Sequence, residues 1–308
     1  MADIRFFQLV PPGTQFNFIG KFKYFITFSI LSGILVVGLI FWHGFHYGID
    51  FTGGTVLQVQ FDRAMPPDKV RAILSGAGAA DAVVVGLGST GREYIITVRT
   101  VAQKGELALK ERLRQLSGTN PFQILKEDVV GPKVGAELKM ASLRALFYSI
   151  IIITIYIWYR FDFKFAPGAT LAMVHDLLLS CGFYLLTGRE FTITAVAALL
   201  TIAGYSVNDT IVVYDRVREI LKRTGDAVPL PKVINEAINL TLSRTLLSSG
   251  VTLLSILPII FFTTGEIQSF AMAMCFGIFV GTYSTVYIAS PFTVTVQMYL
   301  DRRNGRAG

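Results

Sequence analysis

Ionisable residues are scarce in the long apolar stretches of this sequence, and the few present there could carry protons. Asp209 stands in "GYSVNDTIVVYDRVRE", His175 and Asp176 stand side by side in another stretch, and Arg244 opens a third. A charge at the centre of a bilayer costs at least roughly 2.5–3.5 kcal/mol unless it is neutralised, paired or hydrated, so such residues are functional by default. Carboxylates and histidine are the groups that exchange protons inside proteins. The four residues therefore point to proton chemistry within a membrane.

The elements that must position these residues are membrane-spanning helices. Of the 308 residues, 52% are hydrophobic and only 16% are charged, which is too apolar for a soluble two-domain protein. A helix needs roughly 20 residues to cross a hydrocarbon layer about 30 Å thick. Apolar runs that approach or reach this length predict six transmembrane helices, near 24–42, 145–159, 165–187, 192–214, 245–263 and 267–290.

Positive charge is distributed unevenly between the loops. The formal net charge is +7, but the basic residues are dispersed and form no patch with aromatic residues, which argues against nucleic acid as a partner. Loops that would lie on the same side as the N-terminus hold most of the Lys and Arg, whereas the opposite short loops hold only Arg189. The positive-inside rule then predicts that both termini are cytoplasmic. The first apolar run is too long for a cleaved leader and lacks a cleavage site, so it predicts a retained helix.

One segment, between the first two spans, has the composition of a soluble domain. Its alternating, β-rich runs and its two helical patterns follow one another in the order β-α-β-β-α-β. This order predicts a small ferredoxin-like α+β domain inserted after the first transmembrane helix. The predicted strands cover 55–61, 82–87, 93–99 and 122–130, and the predicted helices cover 66–74 and 103–116.

The chain passes from the first span into the first strand through "HYGIDFTGG", which contains Gly48, Asp50, Gly53 and Gly54. Glycines allow backbone angles that other residues resist, and we expect Asp50 to cap the turn. A strand rather than a helix comes next, and no Gly-Lys-Ser/Thr ending follows, which excludes a phosphate-binding loop. Taken alone, the segment predicts a tight junction.

Four separated motifs together resemble one family. "GIDFTGG" at 48–54 is similar to the signature that follows the first transmembrane helix of the SecD and SecF proteins, the bacterial protein-export subunits of the resistance-nodulation-division superfamily. The stretch with Asn208, Asp209 and Thr210 resembles the SecF branch more closely than the SecD branch. "VHD" at 174–176 and "SRTLLSSG" at 243–250 fit the same family. The resemblance covers essentially the whole chain.

The resemblance implies a non-enzymatic subunit of the Sec protein-export apparatus, without a cofactor. It implies a near-obligate complex with SecD, association with SecYEG, SecA, YajC and YidC, and use of the proton-motive force to promote preprotein translocation after the SecA-driven step. It also implies that Asp209 and Arg244 take part in proton-driven movement. The expected organisation in the bacterial inner membrane is a cytoplasmic N-terminus at 1–23, a first transmembrane helix at 24–43, a periplasmic domain at 44–138, a five-helix bundle at 139–300 with a cytoplasmic loop at about 215–243, and a cytoplasmic tail at 301–308.

Each candidate residue also has a structural explanation. Asp209 lies roughly 9 Å inside the membrane, where its role could be limited to anchoring helix packing. Arg244 could reach inward to that depth if the fourth and fifth helices are neighbours, but a basic residue at a cytoplasmic helix end needs no mechanism. His175 and Asp176, about 100° apart on a helix and unable to share one face fully, could be a proton relay or a packing pair.

A pair of glycines in the last span, Gly277 and Gly281, is spaced about one helical turn apart. Small residues at this spacing let two helix backbones approach closely within a membrane. The pair therefore predicts a close helix contact, either inside the bundle or with a partner subunit.

Three other functions are considered. A proton-driven small-molecule exporter of the same superfamily needs large outer domains around a drug-sized pocket, and this chain offers one small domain. An intramembrane enzyme needs paired catalytic groups, but there is no HExxH motif, and Asp209 and Asp215 lie too far apart along one helix to act together. A purely structural assembly factor is the third alternative, and it predicts that loss of Asp209 leaves export intact.

Overall fold

Six helices in the structure, a computed structural model, are long and apolar enough to cross a membrane, as predicted. The structure describes residues 10–11, 14–76, 79, 82–88, 90–98, 111, 114 and 120–303. The helices are TM1 (Phe22–His43), TM2 (Pro132–Arg160), TM3 (Ala166–Thr187), TM4 (Ile193–Thr224), TM5 (Leu230–Phe262) and TM6, which begins as Gly265–Ser284.

TM4 and TM5 extend well beyond the predicted spans, to 32 and 33 residues. The predicted loop at about 215–243 is therefore helical except around the turn at 225–229. Hydropathy marks where the chain leaves the apolar layer, but a helix continues until a residue breaks it. Here Gly225, with φ +56°, and Pro229 supply that break.

TM6 contains a π-helical turn, Thr285–Ala289, and then continues as the helix Ser290–Arg303. Pro291 follows this turn, and because proline has no N–H to donate back along the helix, the preceding turn rearranges. The Ser290 hydroxyl donates to the Thr285 carbonyl over 2.8 Å and supplies a hydrogen bond at this point. Such turns are rare and often lie at functional sites.

The chain divides into two compact units, and the helical unit comprises the residues up to 46, residues 145–189 and those from 194 onward. Within it TM3, TM4 and TM6 are the most buried spans, whereas TM1, TM2 and TM5 bury little of their surface. Polar side chains on the three central helices can therefore find partners away from lipid. Asp176 lies on TM3 and Asp209 on TM4, so both candidate carboxylates belong to this centre.

The second unit, residues 47–144 and 190–193, is built on a four-stranded antiparallel sheet. Its described elements are the short helix α1 (Ile49–Thr52), β1 (Gly54–Phe61), α2 (Pro67–Gly76), β2 (Val83–Leu87), β3 (Glu93–Val98) and β4 (Phe122–Val130). The strands lie side by side in the order β2-β3-β1-β4. Alternate residues of β1, Leu57, Val59 and Phe61, are buried against Val70 and Leu74 of the helix α2. This order fits the predicted ferredoxin-like plan. The predicted helix at 103–116 lies outside the described residues apart from 111 and 114.

Two glycines join α1 to β1 with backbone angles that other residues rarely adopt. Gly53 has φ +75° and Gly54 has φ +145°. A side chain at Gly53 would also collide, because its Cβ would lie 2.9 Å from the Pro132 backbone. The junction therefore needs glycine at 53 both for its conformation and for this close approach.

Asp50 has a different partner from the one expected. Instead of capping its own turn, its Oδ2 accepts a hydrogen bond of 2.9 Å from the N–H of Ile193, the first residue of TM4. The Gly48 N–H donates to the Phe191 carbonyl over 3.0 Å, and a Cβ on Gly48 would lie 2.6 Å from Thr192. The first N–H groups of a helix lack partners within it, so Asp50 supplies an acceptor from a distant part of the sequence.

Removal of this acceptor should destabilise the protein. We expect Asp50→Ala to lower the free energy of unfolding by about 0.5–2 kcal/mol, the usual effect of losing a helix cap, whereas Asp50→Asn keeps an oxygen acceptor and most of the stability. Thermal unfolding of the purified full chain, with hydrogen exchange around Ile193 as a local readout, measures this. Asp68→Ala is the control, because its ion pair with Arg71 is exposed. Unchanged exchange at Ile193 in Asp50→Ala contradicts the capping role.

Candidate functional site

Asp176 lies fully buried where three transmembrane helices meet. Its Oδ2 accepts hydrogen bonds from the hydroxyls of Ser206 on TM4, at 2.5 Å, and Ser284 on TM6, at 2.6 Å. Its Oδ1 lies 3.0 Å from Nδ1 of His175, its neighbour on TM3. A buried carboxylate is tolerated only when it is hydrogen-bonded in this way. One side chain thus joins TM3, TM4 and TM6.

His175 and Asp176 are brought together although adjacent helical residues point in different directions. The imidazole turns toward the carboxylate, while its Nε2 is buried and has no hydrogen-bond partner within the described residues. The ring lies 6.3 Å from that of Tyr283 on TM6, whose hydroxyl donates to the Phe25 carbonyl of TM1 over 2.7 Å. His175 therefore connects the buried carboxylate to the contact between TM1 and TM6.

Asp209 is the centre of a second polar cluster, on TM4, TM5 and TM6. Asp209 is 2% exposed, and Thr282 of TM6 lies near its carboxylate. Thr282 shares a hydrogen bond of 3.1 Å with Ser249 of TM5. One carboxylate oxygen of Asp209, Oδ2, is buried without a hydrogen-bond partner within the part of the chain that the structure describes. This oxygen is therefore open to a further hydrogen bond.

Arg244 lies close enough to interact electrostatically with Asp209. The described residues show no direct contact between the two side chains, and Arg244 is exposed. TM4 and TM5 are in contact nearby, because the Tyr205 hydroxyl donates to Ser249 over 3.4 Å. Among the described residues, the predicted pair is thus not joined by an ion pair.

A row of hydroxyls between TM4 and TM6 was missed in the sequence. Thr210 shares a hydrogen bond of 3.0 Å with Thr285 in the π-helical turn, and Tyr214 shares one of 2.9 Å with Thr293. Together with Ser206, these residues of TM4 are spaced four apart and so face one neighbour. Polar residues spaced four apart within an apolar run were the sequence signal that could have revealed this row. Asn208, the other polar residue of the motif, is exposed.

The predicted glycine contact lies inside the bundle. A Cβ on Gly277 would lie 2.5 Å from two side-chain atoms of Ile202 on TM4, and one on Gly281 would lie 3.3 Å from the Ser206 Cα. The two glycines therefore let TM6 approach TM4 closely enough for Ser206 and Ser284 to share one carboxylate. Among the described residues, no group of three His, Cys, Asp or Glu side chains is arranged to hold a metal ion.

The fold and the site define a six-span membrane protein with one inserted α+β unit and a buried polar centre. Comparison with protein families gives two matches: "Protein export membrane protein SecD/SecF, C-terminal" over residues 110–299 and "SecD/SecF GG Motif" over residues 39–65. The chain belongs to the SecD/SecF family of protein-export membrane proteins.

Relatives of similar length carry the name "Protein translocase subunit SecF". The protein from Magnetococcus marinus is 41% identical over 93% of this chain and 94% of its own length. The protein from Calditerrivibrio nitroreducens is 38% identical over 93% and 95%, and that from Rickettsia rickettsii is 37% identical over 96% of both. The chain therefore corresponds to nearly the whole of these relatives.

Two solved structures of SecDF are also similar. The crystal structure of SecDF from Thermus thermophilus, described as a translocon-associated membrane protein, has a TM-score of 0.81 and 36% identity over 92% of this chain. SecDF in a super-membrane-facing form has a TM-score of 0.70 and 33% identity over 98% of this chain. The chain spans only 39% and 41% of those two proteins.

The close approach of TM4 and TM6 can be tested at Gly277. Gly277→Ala forces Ile202 or the helices to move, and we expect it to destabilise the protein by about 1–3 kcal/mol. A second change, Ile202→Ala, makes room for the new methyl group and should cost less in the Gly277→Ala background than in the parent chain. Gly204→Ala on TM4 is the control, since nothing lies within 4 Å of its Cβ.

Thermal unfolding of the four Gly277 and Ile202 combinations in lipid nanodiscs gives the coupling between the two sites. Strictly additive effects of the two substitutions would show that the contact does not limit packing.

Proposed function

We propose that the chain works with SecD to promote preprotein translocation through SecYEG, using the proton-motive force after the SecA-driven step. The names of its relatives and the translocon association of the similar SecDF protein support export as the process. The SecDF chains are more than twice as long as the matched region, which supports a SecD-like partner for this chain. YajC and YidC are proposed as further members of the complex.

The observation that carries the proton role is a pair of buried carboxylates on the central helices. Asp176 is enclosed by hydroxyls, and Asp209 has one oxygen without a partner in the described residues and a positive charge nearby. A charge that crosses the membrane potential supplies about 2.3 kcal/mol per 100 mV. That energy is sufficient to bias a movement between two states that differ little in stability.

Asp209 is proposed to carry the coupling proton and Arg244 to control its affinity. Because Arg244 acts through space from another helix, movement of TM5 relative to TM4 changes how readily Asp209 takes up a proton. Protonation in turn changes which arrangement of the helices is favoured. Proton uptake and helix movement are therefore linked.

His175 and Asp176 are proposed as a second proton-coupling pair. An ionised carboxylate only accepts hydrogen bonds, whereas a protonated carboxyl group must also donate one. A proton on Oδ1 of Asp176 could be donated to Nδ1 of His175, whereas a proton on Oδ2 would require the hydroxyl of Ser206 or Ser284 to turn away or to become an acceptor. Since these serines lie on TM4 and TM6, reorientation of either hydroxyl would alter the contact between those helices.

The α+β unit is proposed to lie in the periplasm and to handle the emerging preprotein, with the termini of the chain in the cytoplasm of a bacterium and the helices in its inner membrane. The outer strands of the described sheet are β2 and β4, and they expose Val85 and Leu125. Outer strands with apolar side chains suit brief, sequence-tolerant pairing with an extended chain.

The proton role is tested by Asp209→Asn, which imitates the protonated side chain. We expect export into membrane vesicles to fall to the rate seen without a proton gradient, at unchanged abundance and with SecD still bound. Arg244→Ala should have the same effect, because the carboxylate loses the charge that controls it. The control is Asp215→Asn on the same helix, whose ion pair with Arg160 is exposed at 3.2 Å. A parent-like response of Asp209→Asn to the gradient would leave only a structural role for this residue.

Contact with the preprotein is tested by photocrosslinking during arrested export. Probes at Val85 and Leu125, and at other positions across 55–130, should label the preprotein because the sheet offers it an edge. A probe at the exposed Lys222, on the opposite side of the membrane in the proposed topology, provides the background. Labelling no stronger than at Lys222 would rule out a direct role for this unit.

A further inference from the structure

The segment before TM1 is attached to the beginning of TM5 by the side chains of two asparagines. This segment, residues 14–21, is called the N-terminal strap below. Asn235 and Asn239 are spaced four apart on TM5 and so lie on one face of that helix. Both bind the strap through its backbone.

Asn239 pairs with both backbone groups of Phe16. Its Oδ1 accepts from the Phe16 N–H over 2.8 Å, and its Nδ2 donates to the Phe16 carbonyl over 2.9 Å. The Nδ2 of Asn239 also donates to the Asn235 carbonyl over 2.7 Å, which holds the side chain in place. Such two-point recognition of the N–H and C=O of one residue fixes both the position and the direction of the strap.

Asn235 binds the next turn of the strap. Its Oδ1 accepts from the N–H groups of Phe18, at 2.9 Å, and Ile19, at 3.3 Å, and its Nδ2 donates to the Phe16 carbonyl over 2.9 Å. Asn17 closes the turn by accepting from the Gly20 N–H over 2.7 Å, just before TM1 begins. The strap thus enters TM1 directly from its contact with TM5.

Aromatic rings attach the same part of the chain to the π-helical turn of TM6. The ring of Phe18 packs at 6.1 Å against Tyr287, which belongs to that turn, and Tyr287 stacks at 3.8 Å on Phe25 of TM1. Three helices therefore meet at the strap: TM1 by covalent continuity, TM5 by hydrogen bonds and TM6 by ring contacts.

We infer that Asn235 and Asn239 are positioning residues that couple the beginning of TM5, and with it Arg244, to TM1 and TM6. Arg244 lies five residues beyond Asn239, about 7.5 Å along the same helix. A helix is stiff over that distance, so a tilt at the asparagines moves Arg244. The part that concerns Arg244 rests on the proton role proposed above.

The chemistry of the contact suits a movable connection. The Phe16 side chain is 49% exposed, so the strap is held at this point mainly by hydrogen bonds to its backbone and not by burial of apolar surface. Hydrogen bonds at a partly exposed site can be exchanged with water when the helices move. Replacement of both asparagines by alanine, in contrast, removes these bonds in every arrangement of the helices.

The attachment is tested with the full chain in lipid nanodiscs. In Asn235→Ala/Asn239→Ala, hydrogen exchange of the peptide containing residues 14–21 should rise by about tenfold, because its amides lose their acceptors. Glu236→Gln, at an exposed position between the two asparagines, should leave exchange unchanged. Parent-like exchange in the double variant would show that the two asparagines do not hold the strap.

The coupling to Arg244 is tested by a double-mutant cycle on gradient-stimulated export. Arg244→Lys keeps the charge but changes its geometry and should lower export only in part. If the asparagines act through Arg244, the double alanine variant lowers export several-fold in the parent chain but adds little in the Arg244→Lys background. Additive losses, or increased exchange with unchanged export, would overturn the coupling. The Asp209→Asn measurement reports separately on the proton role, and the exchange measurement does not depend on it.

Discussion

Lipid offers no hydrogen bonds, and this constraint accounts for the centre of the helical unit. A polar side chain buried in TM3, TM4 or TM6 must bond to its own helix or to a neighbouring span. Asp176 meets this requirement with hydroxyls from two other helices, Ser206 and Ser284. The arrangement works only if those helices approach closely, which the glycines of TM6 allow. Packing and polar chemistry at this point therefore depend on each other.

Local patterns in the sequence were sufficient to predict the six spans and the four described strands. Six apolar runs and four alternating runs correspond to the six spans and the four-stranded sheet. Asp176 and Asp209 could be singled out from the sequence because ionisable residues are rare inside membrane spans and are functional by default. Neither inference required knowledge of which helices are neighbours.

Partners that lie far apart in the sequence could not be predicted in the same way. The bond from Ile193 to Asp50 joins residues in different segments, and so do the bonds from the strap to Asn235. The residue types show which side chains can donate or accept hydrogen bonds, but they do not show which partners lie within reach. Arg244 illustrates the limit, because the sequence suggested a pair with Asp209, whereas no ion pair joins the two side chains among the described residues.

In the proposed proton mechanism the two carboxylates do not act independently, because they use the same two helices. Asp176 accepts hydrogen bonds from Ser206 of TM4 and Ser284 of TM6, while Asp209 on TM4 lies near Thr282 of TM6. Thr282 and Ser284 point to different sides of TM6, since they are two residues apart on a helix. A shift of TM6 that lengthens one set of bonds must alter the other. We therefore propose that a change in protonation at either carboxylate changes the helix contact on which the other depends.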